Sequence, residues 1–489
     1  MSENNKRVLF VEPPAVDPAR IPERFAGCTY MLYPLPDLGQ LYLMSFLERE
    51  GHTVDVVNAV LDRFSTERFL EKVAAWSPDV LILHSVILAK TTDTAILPKL
   101  AQAAPNAQIL IHGPEPTRVP EEYLKAVQDK AARERVIVFR GEPEIHIREY
   151  LANGERTGAS FMRDDEIVHT DHSEEFLDLD DFPFTHHRHP AMERYKTAYF
   201  NPKFSGRPVA TMLASRGCRW RCAYCVPNSV SFARELEYRR CHPGEKPPAL
   251  YASAAHVIEE IKEIASAGFK ALMVMDDQFL AQRSRTLEIC EGIAPLGLEW
   301  GCLSRPDYLT NEEVVAALAD SGCVSVDIGV ESFCQPVLDT IQKDLKLETV
   351  YKCVPLMQQY RVEPKVNIMF GTCPIEREED IHHTVDELRR LDLHHVMFSI
   401  ATPFKGTPFY EQSERDGYLV DDSDEINPFS KSMVSYPHLS RERLNQLTNE
   451  AYRRFYLRPS QIWRRLRNTR SLKALLTDAW LALRLMVRR

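Results

Sequence analysis

No apolar run in the 489 residues approaches the roughly 20 needed to cross a bilayer, which excludes a helical membrane-spanning protein. No signal-peptide core follows the start either: MSENNKRVLF is polar and passes straight into a strand-like run, so the chain is expected to be cytoplasmic. Surplus positive charge is missing, and a formal charge of −10 speaks against a general nucleic-acid binder. There is no solenoid-type repeat and no low-complexity tract. With 44% hydrophobic and 27% charged residues the composition is that of ordinary globular domains. At this length two or three of them are the natural expectation.

What is present is uneven. Residues 451–489 hold ten arginines, one lysine and a single acid, Asp478, a surplus of ten positive charges that leaves about −20 for the preceding 450. Eleven cysteines in a reducing compartment are better read as ligands or reactive thiols than as disulfides.

The first 150 residues alternate short, nearly unbroken apolar strands with helices. Strands are expected at Val8–Val11, Thr53–Val57, Val80–Leu83, Gln108–Ile111 and Val136–Phe139, with helices such as Leu38–Glu50 and Thr66–Ala75 between them. This is the pattern of a doubly wound parallel sheet covered on both faces. Such sheets bind ligands at the carboxyl ends of their strands, where Pro13, Ser85 and Gly113 fall. Residues 151–206 form an expected linker, with a hairpin around Arg163-Asp-Asp and an acidic, Pro-containing run from Glu174 to Pro190. From Val209 strands and helices alternate again, with strands near 209–213, 271–275, 299–303, 324–328, 366–370 and 396–400. Six such units predict a partial (β/α)6 barrel over 207–415, whose chemistry belongs at the strand carboxyl ends. Residues 416–489 make a helical C-terminal region.

The first strand of this barrel is followed by Cys218, Cys222 and Cys225, spaced C-x3-C-x2-C on a loop. Thiolates this close wrap one metal centre, and cysteine sulfur suits iron–sulfur clusters or zinc. A structural zinc site wants a fourth protein ligand. The nearest spare, Cys241, pairs with nothing at zinc-like spacing. A cubane held by three cysteines instead leaves one iron open for an exchangeable ligand.

This motif, with Tyr224 before its last cysteine, resembles the radical S-adenosylmethionine (SAM) superfamily. Further segments resemble that family in the right order: Met273–Phe279, Ser304–Asp307, Asp327–Ser332, Met369–Asp380 and Thr402–Pro408. The resemblance implies a 4Fe–4S cluster on the three cysteines, whose open iron chelates SAM. It also implies SAM contacts from Tyr224, Asp276, Asp277, Arg305, Glu331 and Ser332, and reductive cleavage to a 5′-deoxyadenosyl radical fed by a flavodoxin or ferredoxin. Two departures stand out: Cys373 in the fifth-strand stretch and an apparent insertion from Cys241 to Ala249. Cys334 and Cys373 are minor candidates for facing a substrate, because buried cysteine is commonly a small hydrophobe.

Residues 1–150 resemble the cobalamin-binding domain that precedes many radical SAM domains, through Val8–Pro14, Pro36–Leu43, Gly51-His52, Ile111–Thr117 and Arg140–Glu144. The Asp-x-His-x-x-Gly motif that supplies a cobalt ligand elsewhere is absent. His52, His84 and His112 do not replace it in sequence, and many members of this class bind cobalamin without it. The alternative is a doubly wound domain kept as scaffold.

From Tyr452 to Arg489, apolar residues including Phe455, Leu457, Ile462, Trp463, Leu466, Leu472 and Trp480 interleave with arginines at helical spacing. One reading is peripheral membrane contact through a basic amphipathic helix, which would point to a lipid or tetrapyrrole substrate. The preferred reading is a helix packed on the barrel, since amphipathic helices mostly bury their apolar face. The expected activity is methylation of an unactivated carbon of an organic small molecule. Oxidative cyclisation, as in anaerobic tetrapyrrole cyclases, and a non-enzymatic iron–sulfur or zinc regulatory protein are the alternatives. No motif marks a catalytic side chain or names the substrate.

Overall fold

The computed structural model describes residues 5–468, apart from 16–24, 29–30, 35, 172–175, 185, 200, 202 and 424–430. Runs of Val, Ile, Leu and Phe with no polar interruption give the first sheet its central strands, because such strands are buried on both faces. They are β1 (Arg7–Glu12), β2 (Thr53–Asn58), β3 (Val80–His84), β4 (Gln108–His112) and β5 (Val136–Phe139). All five run parallel, in the order β2-β1-β3-β4-β5. Successive side chains point to opposite faces of a strand. Leu9, Val11, Leu81, Leu83, Ile109 and Ile111 therefore join one buried cluster. Val8, Phe10, Val80, Ile82 and Leu110 join the other.

Helix α1 (Leu38–Arg49) starts where Asp37 accepts a hydrogen bond from Gln40 N at 3.1 Å, the cap its orphan N–H groups need. Helix α2 (Pro143–Asn153) closes the unit and stops at Gly154, whose φ of +84° is the left-handed conformation of a helix C-cap.

The hairpin expected inside the linker instead extends this sheet: β6 (Ala159–Arg163) pairs antiparallel with β5, and β7 (Glu166–His169) pairs with β6. Asp164 and Asp165 both have positive φ, the backbone of a two-residue hairpin turn. The linker reading lacked the information that β5 leaves an edge for this hairpin to cover.

The second sheet contains β8 (Val209–Met212), β9 (Ala271–Val274), β10 (Glu299–Ser304), β11 (Cys323–Glu331), β12 (Glu363–Phe370) and β13 (His395–Ile400), all parallel and in chain order. Helix α3 (Ser229–Cys241) follows the cysteine loop, and α4 (Ala254–Ser266) leads into β9. On β12 the alternation is clean: Pro364, Val366, Ile368 and Phe370 are buried, while Lys365, Asn367 and Met369 are half-buried on the inner face. The result is an open (β/α)6 sheet with its outer face sealed by helices and its inner face accessible.

Helix α5 (Arg441–Tyr456) lies on β13, where Tyr452 and Tyr456 hydroxyls donate to Phe398 O (2.8 Å) and Val396 O (2.6 Å). Phe455 is buried against Phe398. Helix α6 (Pro459–Asn468) begins the basic tail, with Ile462 and Trp463 exposed. Leu472, Trp480 and the rest of the stripe beyond residue 468 lie outside the described residues. Among the described residues no helix is long and apolar enough to cross a membrane.

Candidate functional site

The cysteine loop leaves the carboxyl end of β8 and is pinned from several sides. Ser215-Arg216 pairs antiparallel with Leu250-Tyr251. Ala223 N donates to Ile341 O, and Phe409 N donates to Ala223 O, both at 3.0 Å. Cys225 N donates to Cys222 O at 3.1 Å, folding the last two cysteines into one turn. Asn228 then caps α3 by accepting from Ser231 N.

Burial pushes the Cys218 and Cys225 thiols upward, and each is pushed further by the negative charge of its neighbouring thiols. Two soft donors whose bare charge is disfavoured here, with the Cys222 sulfur beside them, are matched by a cationic iron–sulfur cluster. Cys241 ends α3, a rise of about 18 Å along the helix from its start, and its charge is felt at Arg140 rather than at the loop. Cys241, the nearest spare thiol in sequence, is thus carried away from the loop by α3. Among the described residues no three His, Cys, Asp or Glu side chains converge on a single ion position. A cubane takes each thiolate on a different iron and spreads its ligands.

The other predicted residues gather around this loop in two groups. Asp276 is buried and accepts from Ala214 N and Ser215 Oγ, both at 2.6 Å, which braces the start of the loop. Burial raises its carboxyl to about 6. Asp277 accepts from Asn228 N at 2.8 Å and ties down the far end. Its carboxylate is buried beside Cys218 and Cys225, where burial raises it and the Ser231 hydroxyl and the Asn228 and Gly217 N–H groups pull it back down. An acidic group next to the cysteines fits the ammonium of a SAM molecule chelated to the cluster.

In the second group, Glu331 ends β11 with φ +72°, a left-handed backbone that non-glycine residues hold only where surroundings enforce it. The enforcing partner is Lys343, whose Nζ donates to Glu331 Oε1 at 2.8 Å and to the Tyr224 hydroxyl at 3.2 Å. Gly329 makes the room: a Cβ there would lie 2.6 Å from Glu331 Oε1 and 3.0 Å from Lys343 Nζ. Ser332 Oγ accepts from Cys334 N and turns the chain after β11. Sequence reasoning missed Lys343, since no motif marks a lysine twelve residues beyond the strand.

Arg305 lies beside the cysteine loop. Its guanidinium lies 3.8 Å over the Trp220 ring and donates to Asp307, Lys343 O and Asp344 O. It holds the cysteine loop against the Lys343 segment. The apparent insertion does similar work, as Lys246 Nζ donates to Trp220 O at 2.7 Å. Tyr224, Cys334 and Cys373 share one apolar cluster, with Cys373 buried.

In the first sheet, strand order reverses between β1 and β3, and there the carboxyl ends form a crevice. Pro13, Ser85 and Gly113 lie at the ends of β1, β3 and β4. Gly113 has φ +119°, and a Cβ on it would sit 2.3 Å from Ser85 O. Ser85 Oγ shares a hydrogen with the Tyr123 hydroxyl at 2.6 Å. His84 meets Asp37 at 2.5 Å and stacks on His112 with ring centroids 4.7 Å apart, a pairing the sequence did not suggest. Burial lowers His112 well below the usual histidine range, keeping it neutral. Its Nε2 and Gln40 Oε1 are buried without hydrogen-bond partners among the described residues, which fits an amide-rich ligand such as a corrinoid in this crevice.

Fold and site together define a two-cofactor enzyme: an iron–sulfur barrel for SAM with a ligand-binding sheet beside it. Residues 212–388 match the Radical SAM superfamily and residues 28–146 match the B12 binding domain. The chain thus combines a radical SAM domain with a B12-binding domain on its N-terminal side. It is 25% identical over 464 residues to an uncharacterised methyltransferase of Pyrococcus horikoshii, covering 93% of each chain. It is 22% identical over 473 residues to the anaerobic magnesium-protoporphyrin IX monomethyl ester cyclase of Rubrivivax gelatinosus, covering 92% of this chain and 77% of that one. Its fold is shared by the radical SAM methyltransferase TsrM of Kitasatospora setae, solved with cobalamin and a [4Fe–4S] cluster. The TM-score is 0.68 at 15% identity, over 93% of this chain and 90% of the other.

Proposed function

We propose that this enzyme methylates an unactivated carbon of an organic small molecule. When bound, the cluster with SAM supplies a 5′-deoxyadenosyl radical that removes hydrogen, and cobalamin supplies the methyl group. The observation that carries this reading is the meeting of the two sites. At the N-terminus of α1, a Cβ on Gly39 would lie 3.4 Å from the His84 ring of the crevice and 3.3 Å from Val230 on α3, the helix that leaves the cysteine loop.

The chain's own residues then do three things. Cys218, Cys222 and Cys225 hold the cluster, with Asp276 and Asp277 fixing the two ends of their loop. Tyr224, Lys343, Glu331 and Ser332 line the SAM side, and Arg305 locks the loop to the Lys343 segment. Pro13, Ser85 and Gly113 shape the crevice for cobalamin, with no histidine required on cobalt. A flavodoxin- or ferredoxin-type carrier delivers the electron. The free thiols this chemistry needs persist in the cytosol.

Anaerobic reconstitution with iron, sulfide and hydroxocobalamin, followed by product analysis with SAM and a reductant, tests the reading. Cluster and cobalamin signals, with 5′-deoxyadenosine formed by wild type and not by Cys222→Ala, are expected. With the true substrate, S-adenosylhomocysteine forms beside 5′-deoxyadenosine. Its absence during turnover would assign oxidative cyclisation instead, the chemistry named for the Rubrivivax relative. Ile462 and Trp463 start the tail exposed. Flotation on anionic liposomes, comparing the full chain with one ending at Arg458, separates surface binding from packing. Equal flotation dismisses membrane contact.

A further inference from the structure

The segment Arg140–Glu144 does more than complete the first sheet. Arg140, Glu142 and Glu144, at the end of β5 and the start of α2, face Arg216, Arg234 and Glu237 from the other unit, and all six are buried. Arg216 Nη1 donates to Glu142 Oε1 at 3.0 Å, and its Nη2 donates to Glu144 Oε1 at 2.6 Å. Arg140 Nε donates to Glu237 Oε1 at 3.0 Å, and Arg234 Nε lies 3.5 Å from Glu142 Oε2. The Arg216 guanidinium also stacks on Phe182 at 4.5 Å. Three buried cations and three buried anions thus meet across the junction, with the exposed Arg240 lying 3.7 Å from Glu237 Oε2.

Stability does not explain this lattice. Buried ion pairs roughly break even against well-packed apolar groups of the same volume. This one also leaves Glu144 Oε2, Glu237 Oε2 and the Arg234 nitrogens buried without hydrogen bonds among the described residues, which costs free energy. What charged groups supply and apolar ones do not is direction. A guanidinium forked onto two separate carboxylates fixes distance and angle together.

Position gives that direction a use. Arg216 precedes the first cluster cysteine by two residues and directly follows the Ser215 that Asp276 braces. Glu142 and Glu144 stand beyond the carboxyl end of β5, at the same end of the first sheet as the crevice between β1 and β3. Resting on the function proposed above, we infer that Glu142, Glu144 and Arg216 are positioning residues that set the separation of the cobalamin crevice and the cluster loop. They touch neither cofactor in this role.

The test uses Glu142→Gln/Glu144→Gln and, separately, Arg216→Lys, which keeps the charge and loses the fork. Cob(II)alamin and the one-electron-reduced cluster are both paramagnetic, so pulsed dipolar EPR on reconstituted full-length protein reads their separation without any substrate. Wild type is expected to give one narrow distribution, and both variants a distribution at least twice as wide at unchanged cofactor content. Hydrogen exchange at residues 140–147 and 213–217 reads the same junction with no cofactor present, and at least tenfold faster exchange is expected in both variants. An unchanged distribution or unchanged exchange overturns the inference. So does loss of both cofactors from both variants, which would assign the lattice to folding alone. A wild type that takes up neither cofactor refutes the proposed function, while exchange still decides the lattice.

Discussion

Replacing Lys343 by methionine keeps an unbranched, apolar stem and removes the charge. In the folded chain this strands Glu331, whose side chain is 8% exposed against 7% for Lys343. Removing one partner of a buried pair typically costs about 3–5 kcal/mol, whereas replacing both by neutral groups of similar volume is often close to neutral. The local backbone pushes the same way. Glu331 sits at φ +72°, and its carboxylate occupies the space that Gly329 leaves open, so without Lys343 it keeps the Tyr224 hydroxyl but no counter-charge. Tyr224 also loses its donor, and Cys222 loses a nearby positive charge. We expect Lys343→Met to destabilise the barrel by about 3–5 kcal/mol and Lys343→Met/Glu331→Gln to recover at least half of that. The assay is anaerobic urea unfolding of the reconstituted protein, followed by cluster absorbance so that the barrel transition is read by itself. A single substitution costing under about 1 kcal/mol, or a double variant less stable than the single, would show that the pair behaves as a solvated contact.

Three further outcomes are expected. Burial pushes the Glu376 carboxyl up to about 8 from an ordinary 4.5, against the opposing pull of the Gly371 and Thr372 N–H groups. The folded chain therefore holds a proton that the unfolded chain releases between those values, so the stability this group confers is complete below about 4.5 and is lost as pH rises through about 8. Melting at pH 6 and pH 8.5 should show a drop in wild type that Glu376→Gln removes, and equal drops in both proteins would contradict the assignment. Gly113→Ala places a methyl 2.3 Å from Ser85 O at φ +119°, so cobalamin uptake measured by absorbance should fall at least tenfold. Full loading would mean that this turn does not border the cofactor. The Tyr42 hydroxyl accepts from Leu213 N at 3.0 Å and donates to Leu213 O at 2.7 Å, joining α1 to the segment after β8. Tyr42→Phe should cost about 1–3 kcal/mol in chemical unfolding, and a change within about 0.3 kcal/mol would show that water replaces the bridge.

Much of this protein is legible in the sequence because the relevant forces are local. Unbroken apolar runs with helices between them dictate parallel strands, and every strand expected in the two sheets appears within a few residues of its place. Three cysteines within eight residues share one loop whatever the rest of the chain does, so their nearness in the chain is a local property. The chain by itself therefore determined the two α/β units and the loop that carries the three cysteines.

Tertiary structure decided what depends on residues far apart in the chain. The hairpin at 159–169 reads locally as a hairpin in a linker, and it joins the sheet only because β5 offers an unpaired edge. Lys343 gains a role because the chain brings it back over Gly329. Arg305, a plausible anion contact by position, is taken up by Trp220 and two carbonyls. Asp37, His84 and His112 stand 28–75 residues apart and meet only at the point where strand order reverses. Arg140–Glu144 and Arg216 each look like ordinary motif polarity until the two units face each other. Side-chain periodicity reports which face of an element is buried, but not which distant face it is buried against, and that pairing is what sets the two cofactor sites side by side.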